Sequence, residues 1–408
     1  DCLFLNFYIL RKTIFILLLF TIYFSCSTDE INESEPVSLE PVSPNTNSST
    51  PDPNSNSSSN NSSTPTSFDR EAMLIFWADS IIVPAQNKFK NDLLSLSSSI
   101  SSFSSNKSQV SLDLVREKWF DAYKSWQHIE MFNVGKAEEI NYGVRMNVYP
   151  VDTDRVESNI SNSDSDIENP NDYSAQGFPA IDYLLYGIGS NDSEILDKYT
   201  SENSKYLEYL LVVSSKMVEL TDTVISDWNS SYRNTFVTSV DNTATSSINK
   251  LTNDFIYYYE KGFRANKIGI PAGVFSGSTL LDRVEAYYRR DISKVLAIEA
   301  INSVSDFFNG ISFNGDSSSE GISFKNYIEF LETTKNDFPL GQLIIDQFES
   351  VKISINNLND DFTIQLQPEN KLDMLITYDI IQVAVVLLKV DMLQALNINV
   401  DYIDADGD

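Results

Sequence analysis

The chain has 408 residues, with 58 acidic and 29 basic side chains, one histidine, two cysteines and a net charge of −29. The length suits two domains of ordinary size. So acidic a surface excludes nucleic acid as a partner, because phosphates need Lys and Arg; it attracts cations instead. Both cysteines, Cys2 and Cys26, precede the folded region, which leaves the domain without a disulfide, a thiolate metal site or a thiol nucleophile. With His128 the single histidine, multi-histidine zinc sites and His-Glu-x-x-His proteases are excluded by counting.

Residues 1–26 read as a targeting segment. Arg11 and Lys12 supply positive charge, and the apolar run Thr13 to Phe24 is short for a spanning helix. Ser25 before Cys26 is similar to a bacterial lipoprotein processing site, with lipid on Cys26 as the link to the membrane. A plain signal peptide or an uncleaved anchor is the other reading. The acids Asp29 and Glu30 then resemble a surface-export signal, or open an acidic linker. Residues 27–67 are rich in Ser, Asn, Pro and Thr and cannot bury enough apolar area to offset chain entropy. They are read as a disordered tether.

Folded structure begins near Phe68. Met73, Leu74, Trp77, Ile81 and Phe89 recur at helical spacing over 69–101, with Pro84 as a kink or break. Residues 109–134 give the clearest helix, stopped by Gly135. Trp119, Tyr123, Trp126 and Glu130 share one of its faces. His128 lies half a turn away with no acid at helical spacing, and reads as a surface or structural residue. The segment 141–160, carrying Arg145, Asn147, Tyr149, Pro150, Asp152 and Asp154, is expected to be a polar loop, either lining a site or simply connecting.

A solvated loop over 161–176 precedes the compact run Gly177-Phe-Pro179-Ala-Ile-Asp182-Tyr-Leu-Leu-Tyr-Gly187. A buried acid needs a donor, a cation or a cleft, so Asp182 is singled out; an ordinary helix with Asp182 capping or lining it is the alternative. Helical spacing over 192–228 closes a first bundle near 230. The second half holds a helix ending near Arg264, a glycine-rich break over 268–278, a helix capped by Asp291 or Ser293 and stopped by Gly310, helices over 321–332 and 338–358 parted by Pro339, and a last helix over 368–396. The apolar stretch Val383 to Leu388 is expected in the core. The glycine-rich break either lets backbone approach a ligand or makes a crossover. The terminal Asp404, Asp406 and Asp408 begin like a calcium loop but lack its far bidentate acid; a solvated acidic end is the competing reading. The fold class is all-α: two helical, four-helix-bundle-like domains, 68–230 and 231–408, readable as distant repeats, with a cleft between them.

Gly177 to Asp182 resembles the Gly-x-His-x-x-Glu signature of the imelysin-like family, in particular its Bacteroidetes-type lipoprotein branch. Lys267-Ile-Gly-Ile-Pro-Ala-Gly-Val-Phe-Ser-Gly277, Val284-Glu-Ala-Tyr-Tyr288, Leu388 to Met392 and Tyr402 to Asp408 carry the same resemblance. The family's suspected metal-binding or catalytic pair is altered: Pro179 stands for the histidine and Asp182 for the glutamate. Proline offers a metal no ring nitrogen. The resemblance therefore implies a binding protein of the cell envelope, an outer-membrane and surface-exposed lipoprotein, associated with iron or haem uptake components. A metallopeptidase and a surface protein without small ligand are the alternatives. Candidate ligand-binding residues are Trp126, Glu130, Asn147, Tyr149, Asp152, Gly177, Pro179, Asp182, Pro271, Ser276 and Glu285. Asp182 and Glu130 are the candidate ligands for a divalent or ferric cation.

Overall fold

Apolar residues at helical spacing fold most of the described residues into helices, joined by turns. The computed structural model describes residues 67–162, 167–201, 204–315 and 319–402. The targeting segment with Cys26, nearly all of the tether, and Asp404, Asp406 and Asp408 lie outside the described residues.

Several expected boundaries move, each for a local reason. Pro84 does not end its helical path. It sits just inside Val83–Ser105, after a π-helical turn Trp77–Ile82; the Ser80 carbonyl four residues back, to which proline cannot donate, accepts the Phe313 N–H at 2.8 Å instead. The helix Gln109–Trp126 opens with a reciprocal Ser108/Ser111 cap and ends eight residues before 134. Turns follow it, so His128 and Glu130 stand beyond the helix rather than on its face. The expected polar loop is largely helical, as Tyr142–Met146 and Thr153–Asn162.

Residues 192–228 form two helices, Asp192–Thr200 and Lys205–Asp227, the second capped by the Ser204 hydroxyl. The path continues through a π-helical turn Trp228–Tyr232 into Arg233–Thr238. Ser247–Tyr257 does not stop near Arg264. It widens into a π-helical stretch, Tyr258–Gly269, and ends in Ile270–Ala272. Neither Asp291 nor Ser293 caps the helix Ser293–Asn309: Asp291 pairs with Arg289, and the Ser293 hydroxyl donates to the carbonyls of Glu285 and Arg290. Gly310 does end that helix, at φ 75°. A two-residue antiparallel ladder, Thr334–Lys335 with Phe338–Pro339, joins Phe324–Phe330 to Leu340–Asn356. Along the last helical path, Lys371–Val386 continued by the π-helical turn Leu387–Met392 and by Leu393–Leu396, the expected core stretch is two-sided. Ala384, Val385 and Leu388 are buried, whereas Val383 and Val386 face outward.

Val83–Ser105 packs on Gln109–Trp126 and Lys205–Asp227. In the second half Leu340–Asn356 packs on Ser293–Asn309 and Lys371–Val386. The described residues belong to one compact unit. Its apolar interior is continuous: Phe307 meets Trp77, Phe132, Phe255 and Phe324, with ring centroids 4.9–5.7 Å apart.

The motif helix Gly177–Asp182 starts against Tyr142–Met146. Gly177 has φ 73°, and an added Cβ would collide with the Met146 carbonyl. Only glycine meets both demands. We expect Gly177→Ala to lower unfolding free energy by about 3 kcal/mol, measured by urea denaturation.

Candidate functional site

The motif helix is fixed on its apolar side by aromatic rings. Phe178 stacks on Tyr123, with centroids 4.4 Å apart and planes 2° apart, and its carbonyl accepts from Trp119 Nε1 at 3.3 Å. That packing leaves the next turn to present Asp182, which is 2 % exposed. Both carboxylate oxygens accept backbone N–H groups, from Tyr288 at 2.8 Å and Arg289 at 3.0 Å. Burial pushes the Asp182 carboxyl up to about 7, partly offset by those two N–H groups and by the charges of Arg289 and Arg290.

The segment Val284 to Arg290 thus hangs on a side chain more than a hundred positions earlier. Two of its non-glycine residues, Ala286 and Arg290, have positive φ of 57° and 67°. Such backbone persists only where neighbouring contacts over-determine it. Arg289 adds a bond to the Tyr186 hydroxyl at 2.9 Å. Between motif and segment lies a cavity of about 220 Å³, lined by Tyr149, Pro179, Asp182, Asp282, Tyr287 and Tyr288.

A buried polar network adjoins Tyr123. Its hydroxyl donates to Asn147 Oδ1 at 2.6 Å, and Asn147 Nδ2 donates to Glu130 Oε1 at 2.9 Å and Glu285 Oε1 at 3.0 Å. Lys267 Nζ reaches Glu285 Oε2 at 2.6 Å and Gln127 Oε1 at 2.8 Å, and lies 3.8 Å from Glu130. Lys267 and Glu285 are each 2 % exposed. Burial raises the Glu130 carboxyl above its ordinary range, and Lys267 opposes the rise. Burial, with the nearby carboxylates, holds the Tyr123 and Tyr149 phenols well above theirs.

Seven of the sequence candidates are therefore placed around two neighbouring features. Tyr149, Pro179 and Asp182 line the cavity. Glu130, Asn147 and Glu285 join the network, and Gly177 allows the close approach. Trp126 is buried against Phe89, Tyr142 and Phe178. The remaining three take no part in network or cavity: Asp152 Oδ1 accepts the Arg155 N–H at a helix start, Pro271 is buried in Ile270–Ala272, and exposed Ser276 bonds Ser278 locally. Asp182 and Glu130 stand in different features. Among the described residues no group of three or more His, Cys, Asp or Glu side chains is placed to hold a metal.

Sequence reasoning missed Gln127, Lys267, Tyr288 and Arg289 as site residues. A lysine between Ala265 and the apolar Ile268–Ile270 run was the available signal for Lys267. It also missed the partner of His128, which comes from another element: Glu299 Oε2 lies 3.2 Å from His128 Nε2 and is held below its ordinary range by it.

The fold and the motif turn can now be set beside known proteins. The sequence pattern of imelysin, peptidase family M75, matches residues 82–376, and the chain belongs to that family. Its fold resembles two solved structures. One is a putative iron-regulated protein A precursor from Parabacteroides distasonis ATCC 8503, with TM-score 0.65 and 18% identity over 81% of this chain and 97% of that one. The other is an imelysin-like protein from Psychrobacter arcticum 273-4, with TM-score 0.63 and 16% identity over 82% and 97%. No curated protein matches the sequence. Among the described residues no helix is long and apolar enough to cross a membrane.

Asp182→Ala strands two backbone N–H groups, and we expect it to cost about 2–4 kcal/mol in urea unfolding. For pH, the folded pKa of about 7 exceeds the ordinary 3.8. The folded state then binds the proton more tightly, so this carboxyl's contribution to stability is full below the lower value and declines as pH rises toward the upper one. The stability of Asp182→Asn relative to the natural chain should therefore rise from pH 4 to 7 and stay level above it.

Proposed function

We propose that this imelysin-family chain is a non-catalytic binding protein, held at the outer membrane by lipid on Cys26 and facing outward. Its ligand sits in the cavity over Asp182, in a setting of iron acquisition. One observation carries the reading. Both oxygens of Asp182 are engaged by backbone N–H groups, and Pro179 occupies the histidine position. The motif thus serves to hold the Tyr287–Tyr288 wall in place rather than to activate water, for which a free base would be needed.

Size favours a small ligand. A cavity of about 220 Å³ lies below the usual range for drug-sized molecules, roughly 300–1,000 Å³, and so favours a compact iron chelate over a macrocycle. Phenol and carboxylate oxygens are hard donors of the kind ferric iron takes. The name of the Parabacteroides protein, a putative iron-regulated protein A precursor, supports that reading.

The test uses the full chain in detergent micelles, titrated calorimetrically with ferric nitrilotriacetate and, separately, with haemin, alongside a casein hydrolysis assay. We expect one ferric chelate per chain, weakened at least roughly tenfold by Tyr149→Ala, and no hydrolysis. Hydrolysis abolished by Asp182→Asn would make the chain a peptidase. Binding of neither iron compound would remove the iron setting.

A further inference from the structure

The helix Lys371–Val386 and its π-helical continuation Leu387–Met392 lie between two neighbours. On one side is Leu340–Asn356, where the Ser354 and Thr377 hydroxyls meet at 2.8 Å and Gln347 Nε2 donates to the Ile380 carbonyl at 2.7 Å. On the other is the π-helical stretch Tyr258–Gly269, where the Tyr259 hydroxyl donates to the Ile381 carbonyl at 3.3 Å and Arg264 donates to the Tyr378 hydroxyl at 2.7 Å. The third side faces solvent, and three observations about it converge.

First, it is apolar. Leu372, Ile376, Val383, Val386 and Val390 are each 40–66 % exposed. A helix that is apolar all round belongs in an interior, so an exposed apolar strip along one of its sides marks a contact surface.

Second, it is regular. With Asp379, these residues occupy positions 372, 376, 379, 383, 386 and 390, in alternating steps of four and three. That is the pattern of a coiled-coil seam, which lets a second helix lie along the first with its side chains seated in the gaps. At about 1.5 Å per residue the seam is roughly 27 Å long, about five turns of a facing helix.

Third, its charges are acidic and unused. Asp379 interrupts the seam and Asp373 borders it, both exposed. Among the described residues neither carboxylate makes an ion pair or accepts a hydrogen bond. Lys371 stands at one end of the seam, and Lys389 turns away to Glu260 at 3.0 Å.

Charge selects the occupant. A second copy set parallel would put Asp379 against Asp379, and one set antiparallel about the middle of the seam would bury Asp379 against Val383. Each copy would also bring a net charge of −29. We infer that the seam docks an amphipathic helix of a partner protein, basic along its flanks, whose apolar stripe carries a Lys or Arg opposite Asp379. That one cation fixes the register, as a polar residue at a seam position does. No seam residue lines the cavity over Asp182, so the surface is separate from it.

The experiment titrates the full chain, held in phosphatidylcholine nanodiscs, with a fluorescent three-heptad peptide. The peptide has leucine at its seam positions, one central seam lysine, and lysine flanks; empty nanodiscs are the blank. We expect one peptide per chain. Val383→Glu should weaken binding at least roughly tenfold, although the added charge would strengthen a merely electrostatic attraction. Asp379→Asn should weaken it roughly fivefold. Val110→Glu, at an exposed position on Gln109–Trp126, should leave it unchanged, and the Val383→Glu chain should unfold in urea as the natural chain does. The same peptide with glutamate for every lysine should not bind. No binding above the blank overturns the inference, as does equal binding by the Val383→Glu and natural chains or by the glutamate peptide. A natural chain that sediments as a dimer and becomes a monomer in Val383→Glu overturns it in favour of a second copy.

Discussion

The buried pair of Lys267 and Glu285 is the constraint on which the rest of the interior depends. Two charges 2.6 Å apart and 2 % exposed have left water entirely. That is tolerated only where further hydrogen bonds complete both groups. Gln127 serves both partners, and Asn147 ties Glu285 to Glu130. These residues come from the turn after the helix Gln109–Trp126, the end of Tyr142–Met146, the π-helical stretch Tyr258–Gly269 and the segment before Ser293–Asn309. A shift of the π-helical stretch or of the segment before Ser293–Asn309 would part the buried pair, and a shift of either other element would remove hydrogen bonds that complete it. The network therefore fixes where Tyr123 stands, and Tyr123 in turn stacks on Phe178 and seats the motif helix.

Asp182 extends the same logic outward. A carboxylate that accepts two backbone N–H groups works as a clasp on the chain that donates them. Here the donating chain is a strained turn, and the clasp shapes one wall of a cavity. Proline at 179 offers no proton shuttle, but the structural task of Asp182 does not need one.

The helical class, the main helices and the stop at Gly310 were legible in the sequence because they rest on periodicity and local turn chemistry. So was the need of Asp182 for hydrogen-bond donors, since one acid in a dense apolar run is conspicuous. Boundaries were less legible. The π-helical widening at Tyr258–Gly269 carries no spacing signal, so the stretch past Arg264 read as a break. Pairings between elements were not legible at all. Asp182 with the Tyr288 and Arg289 backbone, His128 with Glu299, and Lys267 with Gln127 join positions from 106 to 171 residues apart. Each partner alone looks like an ordinary polar residue, and only tertiary packing brings them together.

The central claim is that the Lys267–Glu285 pair acts as a coupled unit holding four elements together. A double-mutant cycle in urea unfolding with Lys267→Met, Glu285→Gln and the double variant tests it most directly. The account predicts a loss of about 3–5 kcal/mol for each single change, because each strands a buried partner. The double variant should then be more stable than the sum of the two losses by about 1–3 kcal/mol. Losses that add to within about 0.5 kcal/mol would contradict it.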